Sequence, residues 1–136
     1  MSNFRIHTNV LGTKYYYLNG TLHREDGPAI ECSNGDKWWY LHDKLHREDG
    51  PAAEYGNGNK VWYKNGKLHR EDGPAIEYHY GRKEWYKNGE LHREDGPALE
   101  YGNGDKAWYL NDIFYGYGIQ FTNKSWIKFV NTLIFY

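Results

Sequence analysis

Four copies of His-Arg-Glu-Asp, at 23–26, 46–49, 69–72 and 92–95, place an imidazole, a guanidinium and two carboxylates on consecutive positions. Groups of these types can move a proton, hold a metal ion or recognise a charged partner. Catalysis needs one constellation with its own nucleophile or base inside an enclosing cleft, and four identical copies supply neither. The expectation is therefore a protein that is not an enzyme, with no catalytic residue. Each copy carries one histidine, no histidine pair has ligand spacing, and the arginine between the candidate ligands repels a cation, so no metal or cofactor is expected. What remains is structural: Arg24, Glu25, Asp26, Arg47, Glu48, Asp49, Arg70, Glu71, Asp72, Arg93, Glu94 and Asp95 hold neighbouring repeats together. In this reading each arginine pairs with a carboxylate of the next repeat, the aspartate closes its own turn, and the histidine donates to a neighbouring carbonyl.

The blocks belong to a longer period. LHREDGPA recurs at 22–29, 45–52, 68–75 and 91–98, a constant spacing of 23 residues. A fixed period in this range marks a stack in which each repeat buries its apolar side only against its neighbours. The repeat reads K-x-W-Y-x-N-G-x-L-H-R-E-D-G-P-A-x-E-Y-x-N-G-x, with its lysine at Lys14, Lys37, Lys60, Lys83 and Lys106. Asn-Gly pairs between short aromatic and β-branched runs are strong hairpin signals. One expected strand follows each proline, over Ala29 to Cys32, Ala52 to Tyr55, Ala75 to Tyr78 and Ala98 to Tyr101. The other is the five-residue run at 37–41, 60–64, 83–87 and 106–110. Alternation along it puts Trp39, Trp62, Trp85 and Trp108 on one face as stacking residues and Tyr40, Tyr63, Tyr86 and Tyr109 on the other. Two strands per repeat at roughly 4.8 Å spacing predict a rod of about 45 to 50 Å for five repeats. Asp-Gly-Pro should end a strand, the glycine by permitting positive φ.

The ends differ. Residues 1–13 match the pattern poorly and read as an N-terminal cap, 14–121 as hairpin repeats, and 122–136 as a capping helix. Trp126, Phe129, Val130, Leu133 and Ile134 fall on one helical face behind Thr122 as N-cap, and the helix is expected to cover the open edge of the sheet. The predicted fold is all-β, an elongated single-layer stack of β-hairpin repeats with a short C-terminal helix.

The segments Trp62-Tyr63-Lys64-Asn65-Gly66-Lys67-Leu68-His69 and Trp85-Tyr86-Lys87-Asn88-Gly89-Glu90-Leu91-His92, together with the period, resemble the MORN repeat family. The resemblance spans about residues 14 to 121 and implies stacked hairpins in an elongated twisted sheet. It is closest to a MORN-like variant that looks like the repeats of proteins from large DNA viruses and phages. After the histidine, standard MORN units carry Gly-x-Gly; here Arg-Glu-Asp-Gly-Pro stands there in four copies, and Gly116-Tyr117-Gly118 keeps the usual form. The family resemblance implies scaffolding and lipid contact.

Composition narrows the function. The 136 residues carry a net charge of −1 and a mean hydropathy of −0.97, with 18% aromatic residues and one cysteine, Cys32. The near-neutral balance argues against a nucleic-acid surface, and only Lys124 and Lys128 flank the helical apolar face, which argues against a membrane one. A lone cysteine and no signal-peptide pattern fit a cytoplasmic location, the host cytoplasm if the chain is viral. The expected function is a non-catalytic scaffold binding another protein, a host protein in the viral case. The alternative is a small-ligand or nucleotide-binding inhibitor or antitoxin-like protein, with membrane-surface binding third. Homo-oligomers through an uncapped sheet edge or the tail fit as well. Candidate partner-binding residues lie where the symmetry fails: Trp38, the irregular turn with His79, Tyr80 and Arg82, and Phe129 and Ile134 of the tail.

Overall fold

The computed structural model describes residues 1–133; Ile134 and the last residues of the expected 122–136 helix lie outside them. The chain folds as all-β hairpin repeats with one short C-terminal helix, and divides into two compact bodies, Met1–Leu68 and His69–Tyr136.

In the N-terminal body, one antiparallel ladder runs through strands Phe4–Thr8, Lys14–Leu18, Ile30–Glu31, Lys37–Trp38, Ala53–Glu54 and Lys60–Val61. The leader is thus a strand, paired with Lys14–Leu18 over five residues. Tyr40–Leu41 with Lys44–Leu45, and Tyr63–Lys64 with Lys67–Leu68, form separate two-stranded hairpins. The C-terminal body repeats the plan: Ile76–Glu77, Lys83–Glu84, Leu99–Glu100, Lys106–Leu110 and Ile113–Tyr117 in the ladder, and Tyr86–Lys87 with Glu90–Leu91 as the separate hairpin.

The expected five-residue strand is therefore broken at Trp39, Trp62 and Trp85, and continuous only in Lys14–Leu18 and Lys106–Leu110. The physical reason is a change of partner at the tryptophan. Trp39 N–H still donates to Ala52 O at 2.7 Å, but Trp39 O accepts from His46 N–H at 3.0 Å, turning the chain out of the ladder into the next hairpin.

Two turn chemistries build the hairpins. At Asn19-Gly20, Asn65-Gly66 and Asn88-Gly89 both residues have positive φ, the two-residue turn whose twist matches the strands. At Asn34-Gly35 only the glycine is left-handed (φ 96°), and Gly35 N–H donates to Cys32 O, a three-residue loop closed by a bulge. In the copies without glycine, Asp43 and Asp112 take φ 63°. Their carboxylates accept the N–H of Leu22 and Leu91 from the preceding repeat at 2.6 Å, which offsets the strain.

The core is thin. Ala29, Ala52, Ala75 and Ala98, the last residue of each LHREDGPA, are completely buried because the backbone pairs closely on both sides of them: Tyr16 N–H donates to Ala29 O and Ala29 N–H to Trp38 O, both at 2.8 Å. Ile30, Ala53 and Val61 join them in the first body, and Leu99, Ala107, Trp108, Leu110, Trp126 and Val130, with Pro74 and Pro97, in the second. Leu22, Leu45, Leu68 and Leu91 are half-buried.

The helix spans Asn123–Leu133 and starts with a reciprocal cap: Ser125 N–H donates to Thr122 Oγ1 and Thr122 N–H to Ser125 Oγ. It lies on a face of the terminal hairpin and not along its edge. Trp126 and Val130 pack with Trp108 and Leu110, flanked by Tyr115, Phe121 and Phe129. The edge strand Ile113–Tyr117 keeps Ile113, Phe114 and Tyr117 exposed. Burial of rings decides this, since the helix has large apolar side chains to cover and the edge offers mainly backbone.

Candidate functional site

Each His-Arg-Glu-Asp block folds back on itself, and the arginine is its hub. Arg47 Nε donates to Asp49 Oδ1 at 2.9 Å, and its Nη1 to Pro51 O at 3.1 Å and to Glu54 Oε1 at 3.0 Å. Arg24, Arg70 and Arg93 make the same three bonds, to Asp26, Pro28 and Glu31, to Asp72, Pro74 and Glu77, and to Asp95, Pro97 and Glu100. The arginine thus pairs inside its own repeat and not with the next, because the turn after it brings both carboxylates within reach of one planar fork. The guanidiniums of Arg24, Arg47 and Arg93 also stand 4.0 Å over the rings of Tyr16, Trp39 and Trp85.

This geometry explains the glycine of Asp-Gly-Pro. None of Gly27, Gly50, Gly73 and Gly96 has a positive φ, contrary to the sequence expectation. A Cβ on any of them would stand 2.6 to 3.0 Å from the Cζ of the folded-back arginine, so glycine is there to let the guanidinium approach. The aspartate likewise serves the arginine. The Arg24 and Arg47 guanidiniums hold the Asp26 and Asp49 carboxyls below the usual range through a hydrogen bond. For Arg24, burial works toward a lower pKa, but Asp26, Tyr16 and Glu31 outweigh it and the guanidinium ends above its ordinary value.

The histidine makes the link to the next repeat. Nδ1 of His23, His46, His69 and His92 accepts the backbone N–H of His42, Asn65, Asn88 and Asn111 at 3.0 to 3.1 Å. It accepts, where the sequence suggested a donor to a carbonyl. With Nδ1 accepting, Nε2 carries the proton and faces Glu25, Glu48, Glu71 and Glu94 at 3.3, 2.7, 2.7 and 3.2 Å.

Within each body, two successive blocks enclose an open groove. The first, of about 760 Å3, is lined by Arg24, Glu25, Asp26, Pro28, Trp39, Leu41, His46, Arg47, Glu48 and Asp49. Its counterpart in the C-terminal body, of about 610 Å3, has the same block residues from Arg70 to Asp95 around Trp85 and Tyr86, but Lys87 where the first groove has Leu41. Among the described residues, no group of three or more His, Cys, Asp or Glu is placed to hold a metal ion, and no helix is long and apolar enough to cross a membrane.

The structure separates the other candidate residues. His79 and Tyr80 are exposed, their rings edge to face at 5.3 Å. Arg82 is instead drawn to buried Glu84, its Nε 2.7 Å from Glu84 Oε1 in an ion pair. Its guanidinium stands 4.9 Å from the Tyr101 ring, and Tyr86 donates to Glu84 Oε2 at 3.0 Å. Burial, followed by this carboxylate, raises the Tyr86 phenol well above its ordinary value. Glu84 is not among the candidate residues of the sequence reading; its signal is a paired swap, Arg82 for Asp36, Asn59 and Asp105, and Glu84 for Trp38, Val61 and Ala107. Trp38 is half-buried with its ring edge-on to Tyr55 at 6.0 Å, and Phe129 is packed among Tyr115, Phe121 and Trp126. Phe129 therefore belongs largely to the core. The repeat-stacking tryptophans divide too: Trp39, Trp62 and Trp85 are half-buried, Trp108 fully buried.

No protein-family model and no curated protein matches the chain.

Proposed function

We propose that the chain is a non-catalytic, MORN-like hairpin scaffold that binds another protein through the grooves between its His-Arg-Glu-Asp blocks. The observation that carries this is the recurrence, in each body, of a groove between successive His-Arg-Glu-Asp blocks. Both ring nitrogens of each histidine are engaged, and each arginine is committed to two carboxylates and a carbonyl, so the block offers a rigid surface and no poised acid, base or nucleophile. Repeat proteins use such recurring surfaces for extended partners. Native mass spectrometry of protein isolated from its own host tests the reading. A stoichiometric protein partner supports it. A co-purifying small molecule without a protein overturns it in favour of the small-ligand alternative.

A further inference from the structure

We infer that each groove takes a cationic side chain, lysine or arginine, presented by an extended segment of the partner. This rests on the scaffold reading and specifies the partner's chemistry. In the first groove four carboxylates, Glu25, Asp26, Glu48 and Asp49, stand against two guanidiniums, Arg24 and Arg47. Those guanidiniums also neutralise Glu31 and Glu54, so the groove's charge balance is acidic. The four carboxylates are 75 to 85% exposed and each is bonded through one oxygen, to His23, Arg24, His46 or Arg47. The Nε and Nη1 donors of both arginines are turned inward to Asp, Pro and Glu acceptors. The groove therefore shows acceptors to an incoming ligand.

That orientation selects the ligand. A phosphate, a nucleic acid or an anionic lipid headgroup would meet four exposed carboxylates against two guanidiniums, a like-charge approach that disfavours binding. Among the described residues, no group of three or more His, Cys, Asp or Glu is placed for a compact metal ion to enter. A lysine or arginine has both parts the groove can satisfy: a charged head for the carboxylates, and an aliphatic stem for Pro28, Trp39 and Leu41 on its wall. The second groove sets Glu71, Asp72, Glu94 and Asp95 against Arg70, Arg93 and Lys87, with Lys87 where the first has Leu41, so its balance is less acidic and its binding of a cationic side chain should be the weaker of the two. The recurrence matters because a partner with several cationic residues gains avidity from more than one groove.

The test is isothermal titration of the intact protein with an unstructured peptide of alternating lysine and alanine, beside its glutamine and glutamate counterparts. The lysine peptide should bind saturably, the other two should not, and raising NaCl from about 50 to about 500 mM should weaken binding about tenfold. Glu25→Gln with Glu48→Gln, and Glu71→Gln with Glu94→Gln, should each weaken it about threefold to tenfold, while Glu90→Gln, outside both grooves, leaves it unchanged. No binding of the lysine peptide, equal binding of the glutamine peptide, or indifference to salt overturns the proposal. The salt arm uses the unaltered protein and decides the matter even if a variant fails to fold. A host protein that binds the scaffold stoichiometrically but is unaffected by the four Glu→Gln changes overturns this inference alone. A lysine peptide that binds through the grooves while no protein partner exists in the host overturns the scaffold reading alone.

Discussion

His46 Nδ1 accepts the backbone N–H of Asn65 at 3.0 Å, joining two residues 19 positions apart in successive repeats. The ring is 9% exposed, while Glu48 on its other nitrogen is 75% exposed on its side chain. The two bonds of one imidazole thus have unequal worth: one satisfies a part-buried backbone donor and sets repeat-to-repeat register, the other is a surface contact. His46→Phe, which leaves the Asn65 N–H without its acceptor, should cost about 1 to 3 kcal/mol. Glu48→Gln should cost under about 1 kcal/mol. Urea denaturation of both variants checks this, and equal losses would contradict the assignment.

Gly50→Ala should act only through Arg47. The new Cβ would stand 3.0 Å from Arg47 Cζ and push the guanidinium off Asp49, Glu54 and the Trp39 ring, a loss of about 1 to 2 kcal/mol. In an Arg47→Ala background the same change should be close to neutral. A double-mutant cycle reads the coupling, and additive effects would sink the close-approach explanation.

Acid should loosen the blocks. Asp26 and Asp49 have folded-state pKa values below the ordinary 3.8, so their contribution is present above that value and is lost as pH falls through the lowered ones. Urea midpoints measured downward from about pH 5 should fall most steeply below about pH 4, and Asp26→Asn with Asp49→Asn should flatten that slope.

Alkali should act through the phenols. Burial comes first in raising Tyr40, Tyr63 and Tyr86 above the ordinary 10.0, with neighbouring phenols and carboxylates adding to it. A group raised on folding contributes stability in full below its unfolded value and loses it as pH rises beyond that. Absorbance titration at about 295 nm should show late-ionising tyrosines, which in alkali ionise together with unfolding. Uniform ionisation near 10 in a folded chain would contradict this.

The two buried tryptophans of the C-terminal body should answer differently to phenylalanine. Trp126 Nε1 donates to Arg93 O at 2.9 Å and anchors the helix to the last block, whereas Trp108 Nε1 has no hydrogen-bond partner. Trp126→Phe should cost about 1 to 3 kcal/mol more than expected from ring size alone, because it strands a carbonyl. Trp108→Phe removes an unsatisfied donor and should cost less. Thermal unfolding of the pair ranks them, and the reverse order would refute the anchoring role.

Much of the fold was legible in local chemistry. The Asn-Gly turns and the Thr122 cap depend on neighbours within a few residues and the 23-residue period on simple recurrence, so the sequence alone pointed to hairpin repeats followed by a helix expected over 122–136, which the structure shows over Asn123–Leu133. It also marked the His-Arg-Glu-Asp blocks as recurring in four successive repeats. What it could not determine was who bonds whom. Arg47 reaching back to Asp49 and forward to Glu54, His46 accepting from Asn65, and Gly50 making room for a guanidinium all depend on where the chain turns at Trp39, which strand patterning does not encode. The end of the array shows the same division. Gly116 stands where the arginine of the other repeats would be, a loss visible in the sequence. That Phe121 lies 5.7 Å from the Trp108 ring, with Trp126 packed in the same cluster, was settled by tertiary packing, because burying exposed rings outweighs covering a sheet edge.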